Sequence, residues 1–375
     1  MAMRSPYSQP LAGDERMAPF DAERYSRQVA LRLIGPRGQR RIREGRVAIA
    51  GIGGLGSISA IQLASMGVGY LRLVDHDFVE LSNLQRQPLY DTNSLGEPKV
   101  EVAERRLRAL NPDVEIEALP LTISRGTAEE VVRDVDVVVD GLDRLLPRYA
   151  INEACNGLGI PYVFGSAIEA HGSVSTIVPG ETACLGCIFG PGSDADEGLP
   201  TCDAVGVLPP ILSAVASLQV REALSILLGE KPSLAGKLLF LDISGPVDLR
   251  ILDVERSPNC PLCGSARRTE PKGPRLTRLC GGGFMIEPEG RIELDLASAA
   301  RILGDSFRIR IGAKYGMVLE GDGGISISLT KTGSALVRGV SDEADALRAY
   351  EELMVLIREG GAGPGGYRYP ERDHY

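Results

Sequence analysis

From Arg46 onward, short apolar runs alternate with stretches of helical apolar spacing, the pattern of strands feeding helices. Residues 47–50 are an apolar run of strand type. The chain then enters a glycine cluster, and SISAIQLASMGVG behind it places Ile58, Ile61, Leu63 and Ala64 at helical spacing. LRLVD reads as a second strand ending on Asp75. VEIEALPL reads as a strand, TAEEVVRDV as a helix, and DVDVVVDGLD as a parallel strand buried on both faces. LLPRYAINEACNGLG follows as a helix, and IPYVFGSAIEAHGSVSTIVPG as two strands with a turn near His171 and Gly172. The alternation predicts an α/β fold with a doubly wound, mostly parallel Rossmann-like sheet.

The flanks read differently. Residues 1–20 carry Met, Pro, Gly and Ser without periodicity, and predict a flexible leader. Helical spacing starts near Asp21 in DAERYSRQVALRLIG, and GPRGQRRIREG reads as a short link. The longest uncharged stretch lies between Asp203 and Arg221 and contains Pro209 and Pro210; it is short for a membrane span and predicts a buried helix after a bend. At 265–283 the composition shifts to Arg, Pro, Gly and Thr, a linker. Residues 284–358 predict a small α+β domain of order βαββββα, closing on a capped helix near Ser341 and read as a docking module. Residues 359–375 read as a flexible tail, leaving 21–264 as the main domain.

Composition narrows the options. The chain has 375 residues, 43% hydrophobic and 24% charged, which is ordinary for a globular protein with a sizeable core. A net charge of −9 argues against nucleic acid as the main partner. Neither a signal-peptide pattern nor a membrane span is read, and seven cysteines including two CxxC pairs suggest metal or thiol chemistry in a reducing cytoplasm. With only His76, His171 and His374 available, a mechanism built on a histidine base is poorly supplied.

Candidate chemistry begins at RVAIAGIGGLG, residues 46–56. Gly51, Gly53 and Gly56, with Gly54 between, form G-x-G-x-x-G between a strand and a helix. The glycines permit a tight turn, and the helix N-terminus offers free N–H groups to a phosphate. Asp75 sits where a carboxylate takes ribose hydroxyls. A long loop then supplies Ser82, Asn83, Gln85, Arg86 and Gln87 at the carboxyl end of the second strand, and Lys99 follows Pro98 at a helix start. Arg86 and Lys99 are cations for a polyphosphate, or else ordinary surface salt bridges. Asp140 and Asp143 end the buried strand; Asp143 is the candidate Mg²⁺ ligand, or a cap for the next helix, or both. Cys184, Cys187, Cys260 and Cys263 read as a closed, structural zinc site tying two distant segments together, with redox pairs or disulfides as alternatives. Cys155 reads as core and Cys280 as linker, while Cys202 is a loop thiol before the buried helix, activated or incidental.

Residues 24–264 resemble the ThiF/MoeB/HesA family, prokaryotic relatives of ubiquitin-activating enzymes. The blocks that carry the resemblance are RYSRQ, GIGGLG, LVDHD, SNLQRQ, the lysine of GEPKVE, NP, DGLD, CLGC, TCDAVGV and CPLC, in that order. The resemblance implies adenylation of the C-terminal glycine of a small ubiquitin-like protein, of sulfur-carrier type and ending in Gly-Gly, by Mg·ATP. It implies ATP contacts at Gly54, Asp75, Asn83, Arg86 and Lys99, and a Mg²⁺ role for Asp143. It further implies that Arg27 reaches the triphosphate of a neighbouring subunit in a homodimer, and that the four CxxC cysteines hold Zn²⁺. Cys202 matches a thiol that some members use in persulfide or acyl transfer. Arg144 stands where the family usually has Asn, and the C-terminal unit, through KTGSALVRGVSDEADALRAYEEL, is similar to the small extra domain of certain members and not to a rhodanese.

On this reading no base is needed, because a C-terminal carboxylate is already nucleophilic at neutral pH. Arg27, Arg86, Lys99 and Mg²⁺ would offset the charge at the α-phosphate. One alternative continues to a thioester on Cys202 for protein conjugation. More distant ones are an NAD-dependent oxidoreductase, supported by the glycine turn and Asp75 alone, and a nucleotide-sensing scaffold.

Overall fold

The computed structural model describes residues 23–190, 205–264, 275–278, 283–288, 292–304 and 306–360. The leader, Cys202, Cys280, most of the expected linker and nearly all of the tail lie outside them.

An eight-stranded sheet has the order β3-β2-β1-β4-β5-β6-β7-β8. Its parallel part is β1 (Arg46–Ala50), β2 (Tyr70–Val74), β3 (Glu115–Leu119), β4 (Val137–Asp140) and β5 (Tyr162–Ile168). β6 (His171–Ile177), β7 (Lys237–Asp242) and β8 (Asp248–Asp253) continue it antiparallel. The strand order reverses between β1 and β4, so the crevice at their carboxyl ends is the natural ligand position. β1 is buried on both faces: Val47 and Ile49 join one core cluster, Ala48 and Ala50 the other. That is why residues 47–50 read as an unbroken apolar run.

The helices follow the apolar spacing with one clear exception. Among the described residues helix is present from Glu23, as expected near Asp21, but it breaks at Tyr25 and resumes only as a short α1 (Ser26–Val29), and the stretch expected to be a link is α2 (Gly35–Glu44). Pro36 lies in its first turn, where the missing N–H costs nothing, and Ile42 is fully buried. Next come α3 (Gly54–Ser65), α4 (Lys99–Leu110), α5 (Ala128–Val132), α6 (Leu145–Leu158), α7 (Leu185–Phe189) and α8 (Pro209–Leu227). By length and composition α8 could cross a membrane, but Ile211, Val215, Ala216 and Ala223 are fully buried in the sheet core. The turn expected near His171 falls at Glu169 and Ala170, with Glu169 at φ +50°.

The C-terminal unit is a six-stranded antiparallel sheet, β11-β12-β13-β14-β10-β9, backed by α9 (Leu296–Leu303) and α10 (Glu343–Glu359). Its strands are β9 (Arg275–Arg278), β10 (Phe284–Glu287), β11 (Arg308–Gly312), β12 (Gly316–Glu320), β13 (Ser326–Thr330) and β14 (Ala335–Arg338). From β10 onward the order is the expected βαββββα. The first strand, however, is Phe284–Glu287; Ile292 and Leu294, expected to lie in it, are buried without forming one. β9 comes from the stretch read as a linker and pairs with β10. The Asp342 carboxylate caps α10 by accepting from the Asp345 N–H at 2.9 Å.

Candidate active site

The glycine turn sits in the β1–β4 crevice. Gly51 has φ +87°, and a Cβ there would stand 2.8 Å from the Gly141 carbonyl oxygen. A Cβ on Gly56 would stand 1.9 Å from the Gly51 carbonyl oxygen. The turn, the start of α3 and the residues after β4 are therefore in backbone contact, which no other residue type permits. Gly53 occupies the N-cap position of α3, and Gly54 faces Leu212 of α8.

Asp75 ends β2 nearly buried. Its Oδ2 accepts from the Ile52 N–H at 2.7 Å and its Oδ1 from the Asp77 N–H at 2.8 Å. The Tyr90 hydroxyl donates to the Ile52 carbonyl at 2.7 Å, so the following loop is tied back to the turn. Within that loop Asn83 is buried and accepts from the Glu80 N–H at 3.1 Å through Oδ1. One guanidinium nitrogen of Arg86 donates to the Ser82 carbonyl at 2.8 Å.

Lys99 forms neither a surface bridge nor an open cation. Its ammonium donates to Asp77 Oδ2 at 2.8 Å, with the lysine side chain 6% and the aspartate side chain 40% exposed. Burial acts to lower the Lys99 pKa, but Asp77 and Asp75, with Asp143 adding to them, hold it above the ordinary lysine range. At Asp77 burial acts upward, yet Lys99, with smaller help from His76 and Arg338, holds the carboxyl below its usual range. Sequence reasoning passed over Asp77, which stands two residues beyond Asp75 in LVDHD; its partner Lys99 lies 22 positions on, so no local pattern links the two.

Asp143 is exposed, and it does not cap α6: Arg144 is the N-cap residue and no side chain caps the helix. Its carboxylate acts on both Lys99 and Arg148. The loop that carries it stands on a buried network unnoticed in the sequence. Asp140 Oδ2 accepts from Arg148 Nε at 3.0 Å and from the Tyr162 hydroxyl at 2.7 Å, while Oδ1 accepts from the Leu142 N–H at 2.8 Å. The Gln219 amide donates to the Asp140 carbonyl at 2.7 Å. Asp140 is thus consumed by the scaffold, whereas Asp143 stands exposed beyond it. Arg27 is exposed on α1.

The four CxxC cysteines meet as sequence reading expected. Sγ separations are 3.9 Å for Cys184–Cys187, 3.6 Å for Cys184–Cys260 and 3.6 Å for Cys187–Cys263. Sulfurs about 2.3 Å from a central ion stand roughly 3.8 Å apart at the corners of a tetrahedron. Disulfide bonds would bring them to about 2.05 Å. The Ser257 N–H points at Cys187 Sγ from 3.4 Å, a hydrogen bond that supports a metal-bound thiolate. The cluster could hold a metal and would join the loop before α7 to the end of the main domain.

The ThiF family model matches residues 25–262. A sulfur carrier protein adenylyltransferase of Thermus thermophilus is 41% identical over 249 residues, covering 65% of this chain and 91% of its own length. A sulfur carrier protein ThiS adenylyltransferase of Bacillus subtilis is 33% identical over 340 residues, 88% of this chain and 99% of its own, so that likeness takes in the C-terminal domain. Among solved structures, Escherichia coli MccB with AMPCPP and MccA is 25% identical, with a TM-score of 0.57 over 64% of this chain and 74% of that one. On the match across most of its main domain, the chain belongs to the ThiF family.

Proposed function

We propose that the protein adenylates the C-terminal glycine of a small ubiquitin-like sulfur carrier protein ending in Gly-Gly, with ATP as co-substrate. The observation that carries this is the buried Lys99 paired with Asp77 in the glycine-turn crevice, with Asp75 tied to the turn and Asp143 acting on the same ammonium. Curated relatives bearing adenylyltransferase names support the reading.

In this scheme the turn at Gly51, Gly53, Gly54 and Gly56 seats the phosphates against the α3 N-terminus, and Asp75 and Asn83 face the nucleoside. Lys99 and Arg86 meet the triphosphate. The terminal carboxylate oxygen of the carrier attacks the α-phosphorus, the bond to the bridging β-phosphate oxygen breaks, and pyrophosphate leaves with that electron pair. No proton moves, so the scarcity of histidine is no obstacle. Asp143 suits a hard oxygen-ligated ion, and Mg²⁺ there would offset phosphate charge. The four cysteines suit Zn²⁺ in a structural role, as all four positions come from protein. Arg27, exposed on α1, is assigned to the triphosphate of a second copy in a homodimer. Among the described residues Cys155, Cys184, Cys187, Cys260 and Cys263 are free thiols, which suits the cytoplasm. Cys202 lies outside the described residues; its Cys202→Ser variant trapping an oxyester with the carrier would add a thioester step to the scheme. The oxidoreductase alternative leaves Lys99, Arg86 and the cysteine cluster without a task.

The test is carrier-dependent ATP–pyrophosphate exchange. Arg86→Ala, Lys99→Ala and Asp143→Ala should each lower it by about 100-fold or more. Exchange that survives in the Arg86 and Asp143 variants would refute the assigned roles.

A further inference from the structure

The C-terminal domain lies directly on the nucleotide loop. β11 sends Ile311 against Gly96, where a Cβ would stand 2.0 Å from the isoleucine Cδ1. β12 begins at Gly316, where a Cβ would stand 2.7 Å from the Phe78 ring. Tyr315 donates its N–H to Glu101 at 3.1 Å, and Thr332 donates to the Pro120 carbonyl at 2.7 Å. A Thr122–Ser334 hydroxyl pair at 3.1 Å is buried in the joint. The contacts at Phe78, Gly96 and Glu101 fall between Asp77 and the first turn of α4, the stretch that carries the loop residues assigned to ATP, while those at Pro120 and Thr122 fall just after β3.

The sharpest contact is the ion pair between Arg338, at the end of β14, and Glu80. Glu80 is the N-cap of the short 3₁₀ turn Leu81–Asn83: its carboxylate accepts from the Asn83 N–H, and its own N–H donates to Asn83 Oδ1 at 3.1 Å. The Asn83 carbonyl accepts from the Arg86 N–H at 3.0 Å. One line of contacts therefore runs from the second domain through Glu80 and Asn83 to Arg86. The Arg338 charge is also among those that hold the Asp77 carboxyl low.

We propose that the C-terminal domain is a strut for the nucleotide loop, with Arg338 as a positioning residue that sets the turn carrying Asn83 and Arg86. It touches no substrate; it acts through Glu80. The inference builds on the reading of the crevice as an ATP site, but the mechanical link stands apart from it. Because Arg338 and Glu80 are 39% and 44% exposed at the side chain, the expected effect is modest, about two- to fivefold, and shrinks at high salt.

The test compares full-length wild type, Arg338→Met, Arg338→Lys and Ile311→Ser by hydrogen exchange and by ATP titration calorimetry. Arg338→Met and Ile311→Ser should each speed exchange in residues 78–90 about two- to fivefold, with β1 and β4 peptides unchanged, and weaken ATP binding to a similar degree. Arg338→Lys should restore most of both. In pyrophosphate exchange the loss should fall on the ATP KM more than on kcat. Unaltered exchange in residues 78–90 for both Arg338→Met and Ile311→Ser would overturn the proposal. Loosening of the loop in a chain whose wild type binds no ATP would uphold the strut and reject the nucleotide reading.

Discussion

At the scale of single residues, the Lys99–Asp77 pair decides most. Its worth depends on pH with a definite sign. The folded Asp77 pKa lies below its unfolded value, so its contribution is present above about pH 4 and is lost as the pH falls through the folded pKa. The folded Lys99 pKa lies above its unfolded value, so its share is lost only in strong alkali. Lys99→Met leaves the carboxyl among buried neighbours without its cation. Discounted for the open edge of Asp77, the loss should be about 1–2 kcal/mol at pH 7 and smaller at about pH 3, inside the window where the carboxyl is taking up its proton. Urea midpoints at the two pH values measure it; an equal gap at both would show that the pair is not what stabilises the loop. Arg86, Lys99 and Asp143 were open to proposal from the sequence because glycine punctuation and strand ends locate the crevice. Asp77 was not, because a carboxylate two positions from Asp75 looks redundant until a folded chain shows which one meets the lysine.

At the scale of elements, the end of β4 shows how a scaffold aims a ligand. Asp140 and Asp143 look equivalent in DGLD. The structure separates them by burial: Asp140 is fully buried on Arg148 and Tyr162, whereas Asp143 stands exposed on the loop they hold. Burial pushes the Asp140 carboxyl up while Arg148 acts to restrain it. Arg148→Met should therefore cost about 3–5 kcal/mol by chemical denaturation, since it strands a buried acid. Asp140→Asn strands the buried Arg148 guanidinium in turn and should cost a comparable amount, and a loss below about 1 kcal/mol in both variants would show that the charge pair is not the issue. Long-range pairing of this kind leaves no periodic trace, so the network was invisible beforehand. α2 was missed for a related reason: Ile42 is among its few apolar residues, and the helix is held by packing against α8, where Gly38 meets Leu228.

At the scale of the whole molecule, two joints extend beyond one segment. The cysteine cluster brings residues near 184 to residues near 260, and if a metal holds it together, removing that metal should free both. A chelator should release about one zinc ion per chain and lower the melting temperature by roughly 5–10 °C. Retained stability in a fully metal-free chain would make the cluster incidental. The second joint is the one proposed between copies. If Arg27 serves the site of a second subunit, each site draws Lys99 from one chain and Arg27 from the other. Arg27→Ala and Lys99→Ala homodimers would then both be inactive. When the two variants are mixed and allowed to exchange subunits, about half the dimers are mixed, and each of those restores one complete site. Pyrophosphate exchange should return to about one quarter of the wild-type rate per chain, and a mixture that stays silent after proven subunit exchange would place Arg27 in its own chain's site or outside the reaction.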